Sequence, residues 1–144
     1  FNVYSYDQEA NSEYATVVCN WKKFITEGKI PFITGDGKQR RDMTHVDDIV
    51  SANIFCAENI SDKKLWGTWY DIGSGDNISL LELADVVKEY FPEVKFNFVE
   101  PREGDVMYTE ADLGKFKALG WVPKVSLKSG LKNVFERLKE DLTK

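Results

Sequence analysis

One mixed α/β domain of short strands and several helices is the fold these 144 residues predict, on three observations. Apolar residues recur at helical spacing in several stretches, with short extended runs between them. Helix start and stop signals flank those stretches: Ser79 is followed three residues later by Glu82, a capping box, and Gly28 and Gly120 stand where helices should end. No repeat, linker or low-complexity tract divides the chain, so residues 1–144 read as a single unit.

In order, Phe1 to Ser5 reads as a strand and Tyr6 to Ser12 as a polar loop. Glu13 to Glu27 has helical spacing, with Val17, Trp21, Phe24 and Ile25 on one side. Ile30 to Thr34 is a short strand with Pro31 near its start, where proline is tolerated. Arg41 to Thr44 reads as extended. Thr44 with Asp47 resembles a capping pair for a helix running to about Glu58, which should bury Ile49, Ala52, Ile54 and Cys56 or Ala57.

Gly67 to Gly73, with Trp69, Tyr70 and Ile72, predicts a buried strand that ends in Gly73-Ser74-Gly75. Leu80, Leu83, Ala84, Val87 and Phe91 give the next helix a continuous apolar stripe. Lys95 to Val99 sets Phe96 and Phe98 against polar neighbours, a strand with one buried face. Ala111 to Leu119 is a short helix. Leu127, Leu131, Val134, Phe135, Leu138 and Leu142 mark a long closing one.

A net charge of −5 and a pI near 5.0 leave no broad basic face, so no nucleic-acid partner is expected. No apolar run is long enough to span a bilayer, so no membrane partner is expected either. A small anionic ligand is compatible with this balance, because a focused site needs only two or three placed cations. Cys19 and Cys56 are far apart and fall on helical apolar positions, which suits small buried hydrophobes in a reducing, cytoplasmic setting. His45 is the only histidine, and no ligand spacing predicts a metal. The chain opens on Phe1 in strand-like sequence, which predicts an excerpt of a longer polypeptide.

The most informative stretch runs from Gly35-Asp36-Gly37 through Arg40 and Arg41 to Asp47 and Asp48. A tight turn, paired arginines, an extended segment and a helix start place fixed positive charge beside a helix N-terminus, a recipe for holding phosphate. Arg41 either pairs with phosphate oxygens or with Asp42, Asp47 or Asp48, while Arg40 is read as the solvated member of the pair. Downstream, Pro101-Arg102-Glu103-Gly104-Asp105 offers a second loop arginine and a carboxylate suited to vicinal ribose hydroxyls. Asn2 could donate to phosphate or sugar, or satisfy neighbouring backbone. Gly73-Ser74-Gly75 is too short for a phosphate loop and should pack on another loop. The four tryptophans suit core and hinge packing. No nucleophile–base pair and no Tyr-x-x-x-Lys is present, so no catalytic residue is expected downstream of Phe1.

Six segments in chain order carry a resemblance: Phe1-Asn2-Val3-Tyr4, Tyr14 to Val18, Gly35 to Asp48, Tyr70 to Gly75, Arg102 to Asp105, and Leu119-Gly120-Trp121-Val122-Pro123. Together they resemble the C-terminal, substrate-binding part of NAD-dependent sugar-nucleotide epimerases and dehydratases of the extended short-chain dehydrogenase group, most closely the UDP-glucose 4-epimerase branch. The resemblance implies a Rossmann-type protein whose Rossmann half lies outside this segment. That half would bind NAD and carry the Tyr-x-x-x-Lys. It implies that Arg41 and Arg102 grip a pyrophosphate, Asp105 the ribose, and Asn2 a phosphoryl group or the sugar. The backbone at Val17 and Val18 would approach the base.

The implied partners are a nucleotide-sugar substrate, the N-terminal Rossmann domain of the same protein, and a second copy of the parent in a homodimer. The implied reaction is isomerisation through transient oxidation at a sugar carbon, with this segment inactive alone. A 4,6-dehydratase, a reductase/decarboxylase, or a stand-alone nucleotide-sugar binding module are the alternatives. Departures from the pattern are Ser5 for glycine, Cys19 for proline, Asp71 for asparagine, and Thr34 where an aromatic ring often stacks on uracil. The last leaves GDP-, ADP- and dTDP-sugars open alongside UDP-sugars.

Overall fold

Strand β1 (Asn2–Tyr4) opens a computed structural model that describes residues 2–12 and 14–144. It is followed by α1 (Val17–Thr26), β2 (Phe32–Thr34), β3 (Arg40–His45), α2 (Val46–Glu58), β4 (Asn77–Ser79), α3 (Leu80–Tyr90), β5 (Asn97–Val99), α4 (Gly114–Ala118) and α5 (Leu127–Leu142). The strands form two small sheets. In one, β3 lies between β1, parallel to it, and β4, antiparallel; in the other, β2 and β5 pair in parallel. The mixed α/β class predicted from the sequence is what the chain adopts.

The larger core joins the sheet to α1, α3 and α5 through Val18, Trp21, Met43, Leu83, Val87 and Phe135 among others. The helical stripes of α3 and α5 supply most of it, since both helices put their i, i+3, i+4 residues inward. A second cluster gathers Ala52, Ala111, Leu113, Phe116 and Trp121. There Phe116 stacks on Tyr70 at 5.0 Å and on Trp121 at 4.8 Å between ring centroids.

The Ser79–Glu82 capping box is formed in full at the start of α3, with the Glu82 carboxylate also 2.8 Å from Arg40. The Ser79 backbone N–H, then its hydroxyl, then Arg40 hold the Glu82 carboxyl below its ordinary value. A lowered folded-state pKa contributes stability that is present above the unfolded value of about 4.3 and is lost as pH falls through the folded one. Glu82→Gln should therefore lower the melting temperature at pH 7 and match wild type near pH 3, as paired thermal melts across that range will show.

Several expectations fail for identifiable reasons. Helix α1 begins at Val17 and not at residue 13, which lies outside the described residues, as does Phe1. Thr44 does not cap α2. It is buried in β3 opposite Val3, and the His45 imidazole accepts from the Asp47 N–H instead. On α2, Ala52 is buried as expected, but Ile54 is half exposed. Gly67 to Gly73 forms no strand: Tyr70 is drawn into the aromatic cluster, and Trp69 lies exposed under the Lys115 ammonium. In β5, Phe98 faces solvent and only Phe96, before the strand, packs on the core. Helix α4 is shorter than 111–119, because Asp112 folds back to cap the Gly114 N–H.

A candidate nucleotide-diphosphate cleft

The Gly35–Gly37 turn determines how β3 enters the site. Its glycines hold φ of +60° and +74°, and Asp36 accepts from the Lys38 N–H. A Cβ on Gly37 would stand 2.8 Å from Ile33 and 2.9 Å from Leu81, so only glycine lets the turn lie against the first turn of α3. From there the chain extends, and strand alternation sends Gln39 and Arg41 to one side and Arg40 to the other.

Gln39 and Arg41 line a cleft of about 190 Å³ together with Asn2, Val17, Thr34, Arg102 and Asp105. Thr16, Asn20, Trp21, Phe32 and Leu80 complete most of its wall. Residues from β1, the start of α1, β2, β3 and the 102–105 loop thus meet in one place. Val18 does not join them: its side chain is fully buried in the larger core, because the helical turn that presents Val17 to the cleft rotates Val18 inward.

Within the cleft, Arg41 is paired with Asp105, 64 positions away, and not with Asp42, Asp47 or Asp48. Its other nitrogen donates to the Arg40 carbonyl at 2.9 Å. Gln39, nine-tenths buried, donates from Nε2 to the Thr34 carbonyl and hydroxyl, both at 2.9 Å, and reaches Asp105 at 3.4 Å. The Asn2 amide donates to the Asp42 carbonyl at 3.1 Å, so its nitrogen serves the backbone. Arg102 is exposed. Nothing in the sequence singles out Gln39. A polar residue between a turn and a strand carries no periodic signal, and its burial is decided by Thr34 and Asp105.

Arg40 is the more solvated of the two arginines, as expected, its side chain 36% exposed against 16% for Arg41, but it is also engaged. It bonds Asn77 at 2.5 and 3.0 Å and Glu82 at 2.8 Å on the far side of the sheet. It borders a larger groove, about 400 Å³, between α3 and α5. That groove is a poor anion site, since its rim mixes Asp76, Glu82 and Glu89 with Lys128 and Lys132 and its arginine is already engaged.

The neighbouring carboxylate Asp42 is wholly buried and accepts from the N–H groups of Ser74, Gly75 and Ala111 and the Ser74 hydroxyl at 2.8–3.1 Å. Gly73-Ser74-Gly75 therefore packs on β3, and two of its N–H groups are taken. The loop does not fit a dinucleotide phosphate. Among the described residues no group of three His, Cys, Asp or Glu side chains converges on a metal position.

Residues 1–73 match the model of the NAD dependent epimerase/dehydratase family. The chain belongs to that family. Among similar proteins, the CDP-paratose 2-epimerase of Salmonella typhi is 35% identical over 74% of this chain and 32% of its own length. The UDP-glucuronate 4-epimerase of Thermodesulfobacterium geofontis is 33% identical over 83% and 36%. The solved UDP-glucose 4-epimerase of Thermotoga maritima, with UDP-glucose, superposes with a TM-score of 0.83 at 34% identity, covering 98% of this chain and 44% of that one. The chain thus spans under half the length of the family members it matches.

Proposed function

We propose that this chain is the nucleoside-diphosphate-binding part of an NAD-dependent nucleotide-sugar epimerase of the UDP-glucose 4-epimerase kind. The observation that carries this reading is the convergence of Arg41, Arg102 and Asp105 on one cleft from segments about sixty residues apart. Two guanidinium groups suit a pyrophosphate because each presents a planar fork of donors to phosphate oxygens. Asp105, held by Arg41 and Gln39, offers a carboxylate to vicinal hydroxyls. Asn2 lies at the same wall for a phosphoryl or sugar group. Val17, Thr34 and Phe32 line the part of the cleft left for a base.

The cleft's described lining holds no His, Cys or Ser, so its groups bind and orient. Hydride and proton transfer fall to NAD and to residues of an N-terminal Rossmann portion, the partner this reading requires. Exposed apolar side chains on and after α2, among them Val50, Ile54, Ile60 and Trp66, support a covered face there.

Calorimetric titration of UDP, CDP, GDP and ADP against the chain tests this function. At least one should bind, and Arg102→Ala should weaken that binding about ten- to hundredfold, the loss of one charge-assisted contact. Equal affinity for the variant would contradict the assignment.

A further inference from the structure

We propose that Asp42 is a positioning residue for the cleft: its backbone N–H fastens Thr109 and its buried carboxylate fastens Ala111 to β3, and this clip holds Arg102 and Asp105 opposite Arg41. The inference rests on reading the cleft as a nucleoside-diphosphate site, and it adds a residue that touches no ligand.

The loop bearing Arg102 and Asp105 has little apolar anchorage. Val106, Met107 and Tyr108, which follow it directly, are each more than half exposed. Its position is therefore determined by hydrogen bonds. The Arg40 N–H donates to the Met107 carbonyl at 2.8 Å and the Thr109 N–H to the Arg40 carbonyl at 3.2 Å. The Asp42 N–H donates to both the Thr109 carbonyl, 3.1 Å, and its hydroxyl, 3.2 Å.

The Asp42 side chain then closes the clip. Oδ2 accepts from Ala111 at 3.0 Å and Gly75 at 3.1 Å, and Oδ1 accepts from the Ser74 N–H and hydroxyl, each at 2.8 Å. Three N–H groups and the Ser74 hydroxyl, which also lies 2.8 Å from the Asp76 carbonyl, face a side chain with two acceptor oxygens, a role a carboxylate fills and an amide cannot. No Lys or Arg among the described residues forms an ion pair with it. The packing is close enough that a Cβ on Gly73 would stand 2.7 Å from Asp42 Oδ2 and 2.3 Å from the Ala111 methyl. Asp42 thus ties three segments together: it is the residue after Arg41, and the residues it grips, Thr109 and Ala111, lie shortly after Asp105.

The test is a double-mutant cycle on binding, using whichever of UDP, CDP, GDP or ADP titrates the wild-type chain. Asp42→Asn turns an NH2 group toward two of the four donors. It should weaken binding about tenfold, as one lost positioning contact does. In that background Arg102→Ala should add less than about a twofold loss, because Arg102 is already displaced, whereas Arg41→Ala should keep most of its effect. A merely structural role would leave the two losses additive in the folded protein, and additivity overturns the proposal.

Hydrogen exchange supplies a second readout. The Thr109 and Ala111 amides should exchange faster in Asp42→Asn while Met43 and Thr44 keep their protection; uniform acceleration counts against the clip. Thr109→Val, at a half-buried position, removes a single acceptor of the same clip and covers the case of a poorly folded Asp42→Asn. It should weaken binding about two- to threefold, and unchanged binding overturns the clip. A wild-type chain that binds none of the four nucleotides would overturn the reading of the cleft itself. A wild type that binds, matched by Asp42→Asn, overturns only this inference.

Discussion

Replacing Arg41 with alanine should weaken nucleoside-diphosphate binding by about a hundredfold, more than the loss at Arg102, and the reason lies in its partner. A charge-assisted bond to a phosphate oxygen contributes roughly 1.5–3 kcal/mol. Removing Arg41 also leaves the Asp105 carboxylate without its ion pair in a cleft where both side chains are mostly shielded, 16% and 27% exposed. An unpaired carboxylate there repels the incoming diphosphate. Arg41→Lys should recover part of the loss, since it restores the charge but not the fork of donors. Asp105→Asn separates the two roles. Pyrophosphate, which has no ribose, should bind that variant more tightly than wild type, because Arg41 is released. A nucleoside diphosphate should bind it more weakly. Calorimetry with both ligands reads the two signs directly.

The largest effect on stability is expected at Phe116. Its ring is buried in the second core cluster, stacked on Tyr70 and Trp121 and edge-on to Phe55 at 5.6 Å. Phe→Ala at such a site removes the transfer free energy of the ring and leaves a cavity, together about 3–5 kcal/mol. That is a large part of the 5–15 kcal/mol, roughly, that holds a domain together. Phe116→Leu keeps most of the volume and should cost under about 1.5 kcal/mol. Urea unfolding of both variants checks the pair, and equal midpoints would show that the aromatic stack does not hold α4 in place. Because Ala111 belongs to the same cluster and donates to Asp42, partial collapse should also loosen the 102–105 loop.

Much of this architecture was readable from local pattern. The Ser79–Glu82 box and the stripes of α3 and α5 are short-range devices, so their residues announced both start and facing. What escaped was decided at long range. Tyr70 looks like strand sequence, yet its ring is taken by Phe116, and the strand that does form, β4, has Ile78 as its one apolar residue. The cleft divides the same way. Arg41, Arg102 and Asp105 stood out as motif residues, and the structure gathers them. Gln39 and Asp42 did not, because a buried amide or carboxylate looks ordinary until its donors and acceptors from residues 34, 74, 75, 105 and 111 are brought to it. The pairing of Arg41 with Asp105 was likewise invisible, since nearer aspartates competed for it in sequence.

Two arginines and one aspartate should jointly receive a diphosphate-linked nucleoside. Nuclear magnetic resonance of the isotopically labelled chain reads this out through arginine Nε–H and backbone amide signals as UDP, CDP, GDP or ADP is added. The Arg41 and Arg102 side-chain signals should move together with the Thr34 and Asp105 amides, while the groove between α3 and α5 stays still. Movement at Val86, Tyr90 and Lys128 with both arginines unchanged would contradict it.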